Sequence, residues 1–263
     1  MAINAFFQVH VLIGLFILSL VTLLWVISLM FKDTSIVDIF WGFGFVASIW
    51  IAFILTRDTV NFRHWLIAIL TTIWGLRLSL HIFFRNKGKG EDFRYQNWRN
   101  QFGKNWWWVS FLQTFLLQGV LMWIITAPLT ASQVYNQQTN LTVLDMVGSI
   151  LWLFGFIFES LGDLQLSKFR SNPENKGRIL DSGVWHYTRH PNYFGDAAQW
   201  WGFYLIALAA GGWWTIFSPI LMTYLLIKVS GVALLEKSMI ANKPGYREYA
   251  QRTSAFIPWF PKK

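Results

Sequence analysis

Apolar stretches recur along the chain near 6–31, 36–56, 64–84, 106–128, 143–166, 193–211 and 213–235. At a rise of about 1.5 Å per residue, each is close to the roughly 20 residues that a 30 Å hydrocarbon layer demands. Seven such stretches in succession predict an all-α integral membrane protein, a seven-transmembrane-helix bundle, rather than the buried helices of a soluble core. The first stretch follows Met1 too closely to carry a basic n-region, and no small-residue cleavage site succeeds it. It therefore reads as a span and not as a removable signal peptide.

The positions of Lys and Arg give the bundle a direction. Eighteen of the 22 fall in the segments that a cytoplasmic C-terminus would place inside. They are Lys32, then Arg85 to Lys104, then Lys168 to Arg189, then Lys237 to Lys263. The outer segments hold only Arg57 and Arg63, and the 129–142 loop, with Gln133, Asn136, Gln137 and Gln138, carries no Lys or Arg. By the positive-inside rule this predicts the N-terminus outside and the C-terminus inside. The net charge of +9 is accounted for by topology, with no nucleic-acid partner implied.

Composition agrees: 54% of residues are hydrophobic and 13% charged, where a soluble domain carries about 25% charged residues. The absence of cysteine removes disulfides, thiolate metal sites and cysteine nucleophiles. The 17 tryptophans, as in Trp106-Trp107-Trp108, Trp200-Trp201 and Trp213-Trp214, suit interfacial belts. No internal repeat is visible. The chain divides into residues 1–142, the first four spans, and 143–263, the last three with their basic inner loops.

Ionisable groups inside spans are costly and face a bundle interior or a watery cavity. Arg77, His81 and Arg85 share one face of the third span, and Glu159, Asp163 and Arg170 one face of the fifth. Asn192, Asp196 and Gln199 form a similar stripe on the sixth. Asp38 opens the second span and Glu236 ends the seventh. All lie toward the inner ends, which predicts a polar vestibule open to the cytosol. At Arg189-His190-Pro191-Asn192, Pro191 suits the first position of a helix. The free N–H groups there, with two donor side chains just before them and Lys168, Arg170, Lys176 and Arg178 preceding, point to a phosphate.

Gly42-Phe43-Gly44-Phe45-Val46-Ala47 matches the dinucleotide-binding glycine pattern but lies inside an apolar helix with no strand before it. Its glycines are expected to permit close helix packing. The five histidines show no metal spacing, so no metal site is expected.

The runs Gly162 to Arg170, Asn175 to Trp185 and Tyr187 to Asp196, with Glu236, Tyr246, Tyr249 and Ile257-Pro258, resemble the steroid 5-alpha-reductase family (3-oxo-5-alpha-steroid 4-dehydrogenase), most closely its bacterial branch. The resemblance covers about 155–260. The Arg-His-Pro-x-Tyr-x-Gly core also occurs in S-adenosylmethionine-dependent membrane methyltransferases of the isoprenylcysteine carboxyl and phospholipid type. The Asp163–Arg170 segment and the Asn175–Asp181 loop resemble the reductases instead.

The resemblance implies NADPH-dependent reduction of the carbon–carbon double bond of a 3-oxo-Δ4 steroid or similar lipidic enone. It implies a cofactor site lined by Asp163, Lys168, Arg170, Arg178, Leu180, Trp185, Tyr187, Arg189, His190, Asn192, Tyr193, Asp196 and Glu236. It also implies an acid that polarises the ketone, through a Glu–Tyr pair in the N-terminal half. Asp38, Glu91 and Tyr95 are the candidates for that acid. A methyltransferase is the alternative, and a non-enzymatic lipid-binding bundle a third reading. S-adenosylmethionine carries no phosphate, so the Lys168–Arg178 cluster favours NADPH. The expected setting is a multi-pass protein of a bacterial inner membrane, active as a monomer.

Overall fold

The computed structural model of the protein describes residues 2–135, 140–229, 232, 236, 239 and 243–262. The chain is all-helical, 82% helix, with no strand among the described residues. Helix α1 is Ala2–Phe31, α2 Ile36–Leu55, α3 Phe62–Asn86 and α4 Phe93–Phe102. Helix α5 (Trp106–Ser110) runs through a π-helical segment, Phe111–Leu116, into α6 (Leu117–Ile125) and α7 (Ala127–Val134). Helices α8 (Val143–Ser171), α9 (Pro191–Ala210), α10 (Phe217–Tyr224) and α11 (Tyr246–Arg252) follow.

Among the described residues, five helical stretches are long and apolar enough to cross a membrane: Ala2–Phe31, Ile36–Leu55, Phe62–Asn86, Phe93–Val134 and Val143–Ser171. The chain is therefore a multi-pass membrane protein. The sixth predicted stretch forms α9, whose Asn192, Asp196 and Gln199 dilute its apolar character. The seventh forms a shorter apolar run, Trp213–Val229, and most of its continuation to 235 lies outside the described residues. So do Asn136, Gln137 and Gln138 of the predicted outer loop, and Lys237 and Lys263 of the basic tail. Part of that loop is corrected: Ala127–Val134 is helix, buried from Ala127 to Gln133. Pro128 at its first turn starts this helix, where a missing N–H costs nothing.

The chain forms two compact units, one of Met1–Thr142 with Ala207–Thr215, the other of Val143–Ile206 with Ile216–Lys263. In the first, α2 and α3 touch backbone to backbone. A Cβ on Gly42 would lie 2.3 Å from the Gly75 carbonyl oxygen, and one on Gly75 would lie 2.6 Å from that of Gly42. The dinucleotide-like glycines thus serve packing, as their apolar setting predicts. Phe45 and Trp74, both fully buried, meet beside this contact with ring centroids 5.6 Å apart. At the other end of α3, Asn61 caps the helix by accepting from the Arg63 and His64 backbone N–H groups. The Gln133 amide donates to the His64 carbonyl at 3.0 Å, and His64 Nε2 contacts the Gln133 carbonyl at 2.8 Å.

The second unit is organised by a glycine seam. Gly148, Gly155 and Gly162 recur every seven residues on α8, close to two helical turns, and so share one face. They meet Gly202, Gly195 and Pro191 on α9, running the other way. A Cβ on Gly155 would sit 2.5 Å from the Gly195 carbonyl oxygen, and one on Gly202 would sit 2.6 Å from that of Gly148. Small residues let two membrane helices approach this closely, gaining van der Waals contact along their length. The approach also forces together the polar side chains that flank the seam.

Candidate functional site

In the first unit the polar residues gather where α2 and α4 begin. Two turns interlock there. Asp33 accepts from the Ser35 N–H at 2.9 Å, and Ser35 Oγ accepts from the Asp92 N–H at 2.9 Å. Asp92 in turn caps α4, accepting from the Arg94 N–H at 3.0 Å. Glu91 Oε1 accepts from the Thr34 N–H at 2.8 Å, while Arg99 donates to both Glu91 oxygens at 2.9 and 2.8 Å. These bonds set α4 beside the first turn of α2.

The result is a half-buried network around a buried tyrosine. Tyr95, 3% exposed, donates its hydroxyl to Asp38 Oδ1 at 2.7 Å. Arg94 Nη2 donates to Asp38 Oδ2 at 2.8 Å, and its Nε donates to Asp92 at 2.9 Å. Gln118 Nε2, from α6, donates to the Tyr95 hydroxyl oxygen at 3.4 Å. Asp38 and Tyr95 are thus brought together, and Glu91 is not with them. Glu91's oxygens are taken by Arg99 and Thr34, in a clamp between the two turns.

Burial raises the Glu91 carboxyl, but the hydrogen bonds from Arg99 and from Thr34 outweigh it and hold Glu91 below the ordinary carboxylate value. A depressed folded pKa contributes stability that is full above the unfolded value of 4.5 and is lost as pH falls through the folded one. Glu91→Gln is accordingly expected to lower stability by about 2 kcal/mol at neutral pH. Thermal melts of both proteins should converge as pH falls below 4.5, and a difference independent of pH would dismiss the clamp.

In the second unit the seam places Glu159 and Asp163 of α8 against α9. Gln199 Nε2 donates to Glu159 Oε2 at 2.7 Å, and Asn192 Nδ2 donates to Asp163 Oδ1 at 3.2 Å. Asp196 is buried on the same helix. Among the described residues, no hydrogen-bond donor reaches the side-chain oxygen of Gln199, which is fully buried.

Arg189 is also buried, but its fork is occupied. Nε donates to Glu236 at 2.7 Å, Nη2 pairs with the same oxygen at 2.6 Å, and Nη1 donates to the carbonyls of Ala250, at 2.7 Å, and Thr253. His190 Nε2 reaches Glu236 at 3.3 Å, and its ring stacks on Tyr193 with centroids 5.7 Å apart. Burial raises the Glu236 carboxyl, and the hydrogen bonds from His190 and Arg189 overcome it, keeping Glu236 below the usual carboxylate range.

Around this hub, Trp185 donates to the Gly162 carbonyl at 3.1 Å, and Tyr249 donates to the Trp185 carbonyl at 2.5 Å. Leu180 is half-buried, whereas Lys168, Arg170, Arg178 and Tyr187 are exposed. Lys243 donates to the Arg178 carbonyl at 2.8 Å. Burial and the neighbouring Arg170 guanidinium hold the Lys243 ammonium below the ordinary lysine value. The cationic patch thus has a member the spacing did not single out. Arg94 and Gln118 were likewise missed, Arg94 because it reads as one more inner-loop cation. Its place directly before Tyr95 is the only local sign of its role.

A family profile described as "Protein of unknown function (DUF1295)" matches residues 24–253. The uncharacterized protein C594.04c of Schizosaccharomyces pombe is 24% identical over 265 residues, covering 89% of this chain and 75% of that protein. The 3-oxo-5-alpha-steroid 4-dehydrogenase 1 of Bos taurus is 32% identical over 68 residues, 26% of this chain and 26% of that enzyme. The chain thus aligns with about a quarter of the length of the steroid enzyme. No solved structure matches.

Proposed function

The chain belongs to the family described as "Protein of unknown function (DUF1295)", and from that premise we propose that it is a membrane-embedded, NADPH-dependent reductase. Its substrate in this reading is a 3-oxo-Δ4 steroid or similar lipidic enone, reduced at the carbon–carbon double bond. The partial similarity to a steroid 4-dehydrogenase supports the reaction class. The observation that carries the reading is the Tyr95–Asp38–Arg94 network, one buried phenol oriented by an ion-paired carboxylate among apolar helices.

The second unit suits a phosphorylated nucleotide. Lys168, Arg170, Arg178 and Lys243 supply cations for phosphates, and Asp163 with Asn192 supplies partners for ribose hydroxyls. The oxygen of buried Gln199, which meets no donor among the described residues, is an acceptor suited to a polar group. Trp185, Tyr187, Leu180 and Tyr193 supply apolar surface, and Asp196 is buried on α9. Arg189, tied to Glu236 and the C-terminal segment, holds His190 in place in this reading and acts on the nucleotide through that geometry. NADPH, when bound, supplies a hydride.

Tyr95 carries the only O–H in the network. As negative charge gathers on the ketone oxygen during reduction, a pre-oriented donor stabilises it selectively. Turning the hydroxyl from Asp38 toward that oxygen leaves Asp38 still paired with Arg94. The half-buried carboxylate thus keeps its counter-ion throughout, and the cost of leaving a partly desolvated charge unpaired is avoided. Glu91 serves this chemistry by fixing α4 and not by touching substrate.

The topology of this reading is seven spans, with α9 and the run from Trp213 added to the five apolar stretches. The N-terminus lies outside and the polar ends face the cytoplasm, in a bacterial inner membrane. Mass spectrometry of the nucleotide retained by protein purified in mild detergent tests the reading. NADP(H) is expected. Recovery of S-adenosylmethionine would replace the reductase with a methyltransferase, and an empty protein that binds neither would discard both.

A further inference from the structure

We propose that the C-terminal strap, residues 253–262, is a membrane-surface anchor that sets Ile257, Trp259 and Phe260 into the headgroup boundary of an anionic leaflet. These three side chains are 66%, 70% and 75% exposed. They sit on a segment that is held in place. The Arg189 N–H donates to the Ser254 carbonyl, Thr188 Oγ1 donates to the Phe256 carbonyl, and the Trp259 N–H donates to the Tyr187 carbonyl, each at 2.9 Å. The Lys262 N–H donates to the Arg252 carbonyl at 2.9 Å. Phe260 lies edge-on to the exposed Tyr187 ring, with centroids 5.9 Å apart. The strap thus fixes its backbone inward and presents aromatic and aliphatic side chains outward.

The height of the strap identifies what covers it. Trp185, two residues before Tyr187, is hydrogen-bonded to Gly162 of α8. Helix α8 has 29 residues, whereas a span needs about 20. Its C-terminal end, with exposed Lys168 and Arg170, therefore emerges through the headgroups. Trp185 ties the segment before Tyr187 to α8, and the strap is hydrogen-bonded to Tyr187 and Thr188 in turn. An outward cluster of Trp, Phe, Tyr and Ile beside cations is the composition of an interfacial segment, with rings at headgroup depth and Lys262 on the anionic surface. Facing water, the same side chains would form an unprotected apolar patch.

The anchor has a structural consequence. The carbonyls of Ala250, Thr253 and Ser254 are the acceptors of Arg189. Membrane contact on the outer side of the strap therefore steadies the Arg189–Glu236–His190 hub on its inner side.

The chain has no cysteine, so a single introduced one reports cleanly. The full protein carrying Ile257→Cys, labelled with an environment-sensitive fluorophore, is placed in nanodiscs containing phosphatidylglycerol. Glu174→Cys, in an exposed turn, is the aqueous reference. Label at 257 is expected to be quenched by nitroxide on shallow acyl positions and to show iodide quenching about threefold below the reference. Adding Trp259→Ser and Phe260→Ser should raise iodide quenching to the reference, with the thermal midpoint lowered only slightly by the loss of the Phe260–Tyr187 contact. Equal iodide quenching at 257 and 174 overturns the proposal. So does shielding that depends on protein concentration, which assigns the patch to a second copy. A collapse of the midpoint in the double variant overturns it too, because the rings would then belong to the folded core. None of these outcomes bears on the reductase reading.

Discussion

Replacing Tyr95 by Phe is expected to lower enone reduction by about two to three orders of magnitude, the loss typical of removing one pre-oriented donor from a developing oxyanion. The ring stays, so its packing against Trp98, with centroids 5.8 Å apart, stays too. Asp38 keeps its ion pair with Arg94, so folding should lose only about 1 kcal/mol. Nucleotide retention should be unchanged, because the residues proposed to hold it belong to the other unit. Asp38→Asn should fall between wild type and Tyr95→Phe, since an amide still accepts from Tyr95 but no longer pairs with Arg94. Single-turnover oxidation of NADPH with a 3-oxo-Δ4 steroid separates these cases. Near-wild-type turnover in Tyr95→Phe would remove Tyr95 from the chemistry.

Gly195→Ala should be the most destabilising single-methyl change in the second unit. The added Cβ would lie 2.4 Å from the Gly155 carbonyl oxygen and 2.5 Å from the Glu159 nitrogen, both backbone atoms that cannot turn aside. Relief requires parting α8 from α9, which also stretches the 2.7 Å bond between Gln199 and Glu159. Overpacking of this kind costs about 3 kcal/mol. Gly177→Ala is the contrast: nothing lies within 4 Å of its Cβ, but its φ of +84° is left-handed. It should cost about 1 kcal/mol, through backbone strain alone. Thermal unfolding in detergent compares the two. A Gly195→Ala midpoint no lower than that of Gly177→Ala would mean the seam is slack.

The two units differ in how legible they were. Asp163, Arg170, His190, Asn192 and Asp196 stand out because ionisable and amide groups are rare in apolar helices and follow one helical face. That signal is local and periodic. The role of Arg189 was not local. As a basic residue before a helix it reads as a phosphate ligand, yet its donors meet Glu236 and two carbonyls near the end of the chain. Only the folded positions of residues 47 to 64 apart reveal that occupancy. Glu91 and Tyr95 likewise read as a pair because the resemblance implies a Glu–Tyr pair in the N-terminal half. In the fold Tyr95 donates to Asp38, 57 residues away, while Arg99 and Thr34 donate to the oxygens of Glu91.

By itself the sequence determined that this is an all-helical, multi-pass membrane protein. Apolar length and the scarcity of charge add up along one dimension, and no partner is needed to evaluate them. It also determined the glycine period on α8, since seven residues return to nearly the same face of any helix. Tertiary structure alone decided which helix the seam meets, which carboxylate holds Tyr95 and which cations are occupied. A hydrogen bond depends on distances of about 3 Å between groups the chain brings together only by folding, and each donor can be committed only once.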